Sequence, residues 1–574
     1  MKSKTLLVLG FLALCALAIV LHRRPPSPAG SSDAGPGVTS ASPAAPVSGG
    51  PTLTLLFSSS DGKKEWVEEV TSDFNKRGFK VGDKTIQVKL NHMRSGESMA
   101  SILDGKEKPH LWSPVSRSWI ELINGTWQTR HGHPFIGDTR PTARTALVIA
   151  MWEPMARALG YPDKPIGWEE VVKVALDPNG WGAYGHPEWG KFKFGHSHPD
   201  FSTSAMLSLI SLLYAQTGKH AGLTADDLRN PKVVRAFQAL EQAIVHYGES
   251  SSWLTEKICT RGPSYLSAVT LYESSVVKAN LKFTSKAFPL VAIYPKEGTF
   301  WENHPAGIVD ADWVGDDEKK AARVYLDFLV APEQQAKTAK GGFRPADPAA
   351  AVDAPVDRAH GADPQASDAN ALAPVSDDVF KRAQALWHDV KKKATVYLLV
   401  DTSGSMNGAP MNAARRGAVT FLQGMEADDE VQAISFATTV TPLGRLGRMR
   451  EIGEPLIQKV SGLFAEGNTA LYDAVAAGLG EIEEARKSRK EPRLYGMVVL
   501  SDGKDTSSRI KQLDLLERLP KGEDTDGVKI FTIAYGAEAD LDFLKQLADR
   551  SNAVSLKGEE GNIEKVYHSI SSYF

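Results

Sequence analysis

Three short segments near the C-terminus carry the residue types best suited to chemistry: Asp401, Ser403 and Ser405 in DTSGS (401–405), Thr469 in GNTALYDA (467–474) and Asp502 in LSDGKD (500–505). Carboxylates and hydroxyls are oxygen donors, and a hard cation such as Mg²⁺ takes near-octahedral oxygen ligands while keeping several waters. Neutral hydroxyls and few full charges would leave such an ion electrophilic, so that an anionic group of a partner could take an open position. DxSxS alone reads equally as an Asp/Ser helix cap. Thr469 and Asp502, each on a loop of its own, make capping an insufficient account. Asp473 and Asp505 lie nearby; Asp473 falls within a helical pattern and reads as structural.

The elements that must position these loops are legible. ATVYLLV (394–400) is a continuous apolar run of strand length, as a fully buried parallel strand requires. It runs straight into Asp401, and a helix follows with Met411, Ala414, Ala418, Phe421, Leu422 and Met425 on one face. Further buried strands are expected at 431–436, 495–500 and 528–535, with helices at 470–486 and 563–570. This order is that of a doubly wound sheet, whose ligands bind at the carboxyl ends of the strands. In order and separation the three segments resemble the von Willebrand factor A family. The resemblance implies a Rossmann-like domain over 392–574 with a metal-ion-dependent adhesion site. Its ligands would be Asp401, Ser403, Ser405, Thr469 and Asp502, its ion Mg²⁺ (or Mn²⁺/Ca²⁺), and its partner a protein offering a carboxylate to the metal. Integrin-like A domains shift affinity through their last helix, here 563–574; with the sequence ending at Phe574, that regulation is not expected.

Upstream, LTLLF (53–57) is a short buried-strand candidate, followed by Ser58, Ser59 and Ser60 and then by Trp66, Val67, Val70 and Phe74 at helical spacing. TIQVKLNHM (85–93) alternates like a second strand, and the repeating strand–loop–helix order argues for parallel α/β structure. Ser202, Thr203 and Ser204 likewise precede an apolar helix (205–214). A helix start offers free N–H groups and a partial positive charge, so both hydroxyl loops are candidate anion sites; the alternative is ordinary N-capping. LTLLFSSS, HLWSPVSRSWIELIN (110–124), TALVIAMWEPMARALGYP (145–162), 181–206, FPLVAIYPKEGT (288–299) and GGFRPADP (341–348) are similar to bacterial type II periplasmic solute-binding proteins. That resemblance covers 52–345 and implies two α/β lobes, 52–144 plus 289–345 and 145–288, crossed near 145–151 and 288–294 and closing on a ligand. Ser113 and Ser116, beside Trp112, would then face the hydroxyl loops from the first lobe, and the solute would be a small anion. His186, His196 and His198 match no zinc spacing and read as surface or hinge histidines. Trp152, Trp181, Trp189 and Trp301 read as core or lobe-interface aromatics.

Bulk properties set the frame. The 574 residues carry a formal charge of −3, which gives no basic footprint for nucleic acid. Cys15 and Cys259 are the only cysteines, and Cys15 lies in an apolar run, so no disulfide staples a folded domain. That run (5–21), flanked by Lys2, Lys4, Arg23 and Arg24, is just long enough to cross a bilayer. Residues 1–23 are therefore read as a signal anchor, with a cleaved signal or a lipidated Cys15 as alternatives. Residues 24–51 are a Pro/Ser/Ala/Gly tether and 346–391 an extended connector ending in a helix (377–391). No P-loop, GxSxG elbow, zinc-protease helix or thiol pair appears. The expectation is a non-catalytic, membrane-anchored extracytoplasmic protein that joins a solute-binding module to a metal-dependent docking module. The alternatives are a solute receptor of an ABC-type transporter and an assembly partner of an ATPase or chelatase-like complex.

Overall fold

A computed structural model describes residues 50–200, 202–248, 250–519 and 527–574. The anchor expected at 1–23 and nearly all of the 24–51 tether lie outside them; among the described residues no helix is long and apolar enough to cross a membrane. β1 (Thr52–Ser60) buries Leu53, Leu55 and Phe57 and stays buried through its three serines. α1 (Lys64–Arg77) lays Trp66, Val67, Val70 and Phe74 on the sheet, the helical face the spacing predicts. β2 (Lys84–Met93), α2 (Ser95–Leu103), β3 (Leu111–Ser113), α3 (Arg117–His131) and β4 (Ile136–Pro141) continue the first lobe, with β1 parallel to β2 and β3.

The first crossing is β5 (Thr145–Trp152), buried at every position. The second lobe follows with α4 (Thr203–Thr217), α5 (Pro231–Gln242), α6 (Ser251–Arg261), β6 (Ala268–Tyr272), α7 (Glu273–Lys282) and β7 (Leu290–Ile293). β5 runs antiparallel to both β6 and β7. β8 (Pro305–Val309) then returns to the first lobe, antiparallel to β3 and β4, and α8 (Asp316–Leu329) packs Tyr325 and Leu329 into that lobe's core. The sheets are thus mixed rather than parallel, because a strand returning from the other lobe runs against those that left.

Arg344 closes the crossing. Its backbone exchanges N–H···O bonds of 2.9 Å with Arg144. Its guanidinium, 3% exposed as a residue, grips Glu273 through Nε at 2.9 Å and Nη2 at 2.6 Å. The remaining donors reach the carbonyls of Asp363 (2.7 Å) and Ala366 (2.9 Å). The segment after 345, expected to be extended, is therefore folded back: Val356 and Ala362 are buried with Val277 and Ala339.

α9 (Asp377–Val390), capped by Ser376, leads into the last domain. Its elements are β9 (Lys393–Asp401), α10 (Ala409–Gln423), β10 (Glu430–Phe436), α11 (Leu471–Ser488), β11 (Arg493–Ser501), β12 (Lys529–Tyr535), β13 (Ser555–Gly558) and α12 (Ile563–Ser571). β9 lies parallel between β10 and β11, with β12 and β13 beyond β11, as a doubly wound sheet requires. Antiparallel edge pieces, Val440–Pro442 and Gly447–Arg448, pair with β10.

This domain shares one apolar core with the second lobe, and residues 51–574 form a single compact unit. Trp387 of α9 packs edge-on to His198 (4.9 Å) and Tyr247 (5.4 Å), and Tyr573 packs against Trp253 (5.3 Å). Lys392 Nζ donates to the Ile244 carbonyl at 2.7 Å, and Arg261 to the Asp549 carbonyl at 2.8 Å. The surface or hinge reading of the histidines is corrected here: His196 and His198 are buried in or beside this seam, and His186 is half-buried. His196 is tolerated inside because its ring meets the Ser197 carbonyl (2.7 Å) and Glu241 (3.1 Å). His388, between Asp200 (3.0 Å) and Glu426 (2.6 Å), joins the second lobe to the last domain.

Two outcomes test this architecture. Arg344→Leu strands the buried Glu273 carboxylate and should cost about 3–5 kcal/mol in urea unfolding. For His388, burial lowers the pKa, but hydrogen bonds and charge from Asp200 and Glu426 outweigh it and raise the pKa to about 9. A raised folded-state value stabilises fully below the unfolded pKa of about 6.5 and is lost as pH rises through about 9. His388→Gln should therefore melt below the parent, by about 1 kcal/mol, near pH 6, and the gap should close above about pH 9.

Candidate metal centre and solute cleft

β9 is at the centre of its sheet, so its carboxyl end opens at the point where the chain turns to opposite sides. Asp401 is its last residue and is fully buried. One carboxylate oxygen accepts from the Ser403 N–H (2.9 Å) and the other from the Ser501 hydroxyl at the end of β11 (2.6 Å). The Ser403 and Ser405 hydroxyls are 3.0 Å apart, and Ser405 donates to Asp502 at 2.9 Å. The Ser405 and Thr469 hydroxyls both lie within 4.0 Å of the point where a side chain on Gly503 would begin. The structure thus brings all five predicted residues together: Asp401, Ser403, Thr469 and Asp502 are buried, and Ser405 is exposed at the mouth.

Burial sets the electrostatics of this group. Burial pushes Asp401 up to about 6 against the hydrogen bonds from Ser501 and Ser403, with the Asp502 charge adding to the rise. Burial also raises Asp502. Among the described residues, burial and hydrogen bonds from hydroxyls and backbone N–H groups are the leading influences on both carboxylates. Two buried carboxylates and three hydroxyls, all oxygen donors, fit the hard-cation chemistry of Mg²⁺. Among the described residues no three His, Cys, Asp or Glu side chains gather into a metal cluster, so a hydroxyl-rich set is the arrangement to weigh. Asp473 is outside the group: it accepts the N–H groups of Arg509 and Ile510 at 3.0 Å and clamps the loop after Asp502. Asp505 does similar work on Tyr472 N–H at 3.0 Å.

In the two-lobed part, Ser58 is bonded to Ser98 at 2.8 Å, and Ser113 accepts from Lys63. Ser59, Ser60 and Ser116 are buried, with hydroxyls that have no partner among the described residues. Ser60 and Ser116 stand at helix starts without capping them. Ser202 also fails to cap α4; its hydroxyl joins Ser204 and then Ser251 in 3.0 Å steps on the second lobe, and Thr203 opens the helix. Among the described residues no hydrogen bond links this chain of hydroxyls to Ser59, Ser60 or Ser116. Sequence reasoning missed Lys63, which donates to Ser113, Lys278, which reaches the Gly62 carbonyl, and His304, which packs on Phe343; LysLys in DGKKEW reads simply as a charged helix start.

The family model for bacterial extracellular solute-binding proteins matches residues 55–344, half of the chain. The chain belongs to that family. A second family model, the von Willebrand factor type A domain, matches residues 395–568, which include all five oxygen-donor residues. Among relatives of this solute-binding protein, an uncharacterized protein of Mycobacterium tuberculosis is 21% identical over 293 residues, 49% of this chain and 41% of its own. An uncharacterized protein of Synechocystis sp. is 30% identical over 123 residues, 21% of this chain and 28% of its own. Human inter-alpha-trypsin inhibitor heavy chain H2 is 22% identical over 189 residues, 31% of this chain and 20% of its own. The match thus spans less than half the length of each. Of solved structures, a periplasmic thiamin binding protein is similar at 12% identity and TM-score 0.42, covering 59% of this chain and 95% of that one. A von Willebrand factor type A protein from Catenulispora acidiphila is similar at 17% identity and TM-score 0.28, covering 32% and 42%.

The clamp made by Asp473 separates a structural carboxylate from the donor set. Asp473→Ala should lower stability by about 1–3 kcal/mol through two lost charge-assisted bonds, with Mg²⁺ stoichiometry by native mass spectrometry unchanged.

Proposed function

We propose that this solute-binding protein is a non-catalytic, membrane-anchored extracytoplasmic binder that takes a small solute between its lobes and docks a protein through a divalent cation. Asp401, Ser403, Ser405, Thr469 and Asp502 would hold the ion, and a partner's carboxylate would complete its coordination. The observation that carries the reading is the burial of Asp401 and Asp502 at neighbouring strand ends, where hydroxyls and a backbone N–H group surround them. Such a group is costly alone and is stabilised by a bound cation, which in turn is the largest local charge presented to a partner. The solute-binding family supports an extracytoplasmic location. A receptor that hands solute to a permease is the second reading, favoured by the two-lobed architecture itself.

Native mass spectrometry and melting of the full-length protein, with and without Mg²⁺, test the docking site. At about a hundredfold excess over its Kd, Mg²⁺ should stabilise the protein by about 2.7 kcal/mol. The Asp401→Ala, Asp502→Ala double variant should carry no ion and show no Mg²⁺ shift. A parent protein that stays bare at saturating Mg²⁺ and Mn²⁺ would remove the metal-dependent reading.

A further inference from the structure

A cavity of about 350 Å³ opens at the seam between the second lobe and the last domain. From the second lobe, the end of the helix Trp168–Leu176 lines it together with Lys191 and Phe192. From the last domain come Lys392, just before β9, the residues that follow α11, and Arg493 and Tyr495 of β11. These are the amino ends of β9 and β11, whereas Asp401 and Ser501 close the same strands. At about 3.3 Å per residue, β11 puts about 26 Å between the cavity and the metal centre. None of the residues expected at the solute cleft or the metal centre lines this cavity.

One sign of charge dominates its walls. Lys191, Lys392, Arg486, Arg489, Lys490 and Arg493 line the cavity, against two acids, Asp177 and Glu491. Asp177 already accepts the Asn179 N–H at 2.8 Å, and Glu491 is exposed. Some of the cations have structural work. Arg493 is buried and holds the Thr395 hydroxyl (2.8 Å) and the Ala394 carbonyl (2.7 Å). Lys392 crosses the seam to the Ile244 carbonyl, and Arg486 is met by Glu483 at 2.9 Å. Arg489 gives a single nitrogen to both oxygens of Glu430, at 2.7 and 2.9 Å, so its guanidinium keeps further donors. Lys191 and Lys490 differ from these: they stand on opposite walls, both are exposed, and among the described residues neither has an ion-pair partner.

Basic residues in the last turn of α11 follow from the helix dipole alone. That account does not reach Lys191, Lys392 and Arg493, which belong to other elements and converge on the same space. A recess lined by one sign of charge between low-dielectric walls focuses its field and concentrates counter-ions. Guanidinium and ammonium groups offer donors only, so their complement is a negatively charged group made of acceptors. The cavity is also within the range of about 300–1,000 Å³ that small-molecule sites occupy.

We propose that this seam cavity binds a small polyanion of three or more negative charges, polyphosphate or polycarboxylate in form, with Lys191 and Lys490 reading its charge. A singly charged anion would leave most of the converging cations unmatched. Because one wall belongs to the second lobe and the other to the last domain, the bound polyanion bridges the two and stabilises the seam.

The test uses full-length protein, stripped of divalent ions on a chelating resin and dialysed free of phosphate. It is titrated with sodium tripolyphosphate, sodium citrate, sodium acetate and spermidine while binding and melting are followed. Tripolyphosphate or citrate should bind and raise Tm, and the tighter of the two assigns the ligand as phosphate or carboxylate. The Lys191→Gln, Lys490→Gln double variant changes two exposed side chains and should weaken that binding at least about tenfold. A Lys80→Gln, Lys89→Gln variant removes the same charge from exposed positions on the first lobe and should bind as the parent does. Binding that the seam variant leaves unchanged, or that the first-lobe variant weakens as much, overturns the site. Acetate binding as tightly as tripolyphosphate and citrate overturns the polyanion assignment, as does binding of spermidine alone. A protein that binds none of the four overturns the proposal outright.

Discussion

The guanidinium of Arg344 sits where the chain passes between its lobes, and the rest of the molecule is arranged around keeping it satisfied. A desolvated charge of this kind is tolerated only when its counter-ion and every remaining donor are matched. Glu273, at the start of α7, supplies the bidentate counter-ion and is itself fully buried. The other donors can be met only if the carbonyls of residues 363–366 come back to the crossing. That requirement turns a segment rich in Ala, Pro and Asp into a folded strap, and it fixes where α9 begins. The last domain consequently enters at a set place against the second lobe, where Trp387 and Tyr573 complete a shared core.

How much of this could be read beforehand follows from whether a signal is local. β9 and β11 announce themselves because fully buried parallel strands are unbroken apolar runs, and the donors Asp401 and Asp502 come directly after those runs. Each donor is specified within its own short segment, so the assembled group could be anticipated from the pieces. The strap could not, since its order depends on partners far along the chain: Arg344 on the 363–366 carbonyls, Val277 against Val356 and Ala362, and the Thr299 carbonyl accepting from the Leu372 N–H. His196 and His198 misled for the same reason: their loop neighbours are Pro, Gly and Asp, while the groups that make burial acceptable, Glu241, Tyr247 and Trp387, lie far along the chain. Lys63, Lys278 and His304 come from three separate segments, and only the packing of both lobes on Phe343 brings them near one another.

Burial acts on charges of opposite sign at two places. In the last domain burial raises the pKa values of the Asp401 and Asp502 carboxylates; between the lobes burial lowers those of the Lys63 and Lys278 ammonium groups. Asp401 closes a strand, Asp502 follows one and Lys63 lies just past the end of β1, where backbone N–H groups and serine hydroxyls are concentrated, whereas Lys278 lies within α7. A ligand that binds only the folded protein raises its stability, so an ion taken up by Asp401 and Asp502 would link stability to occupancy. Stabilisation at one site is not confined to it, because the second lobe and the last domain have no solvent layer between their cores.

That shared core also settles which parts can move independently. If the lobes open and close about the crossing at Arg344, the last domain must travel with the second lobe, since separating them would expose Trp387, Tyr247 and Tyr573, each under 3% exposed. The first lobe is then the body that swings. A contact from the last domain back to it is the pair between Lys565 of α12 and Glu97 of α2, at 3.8 Å with both side chains exposed. A surface pair of that kind is worth about 0–1 kcal/mol, far less than the buried aromatic seam, so it does not lock the lobes. Closure on a solute would therefore change what the first lobe presents beside α12, while leaving the geometry of Asp401 and Asp502 to the rigid sheet that carries them.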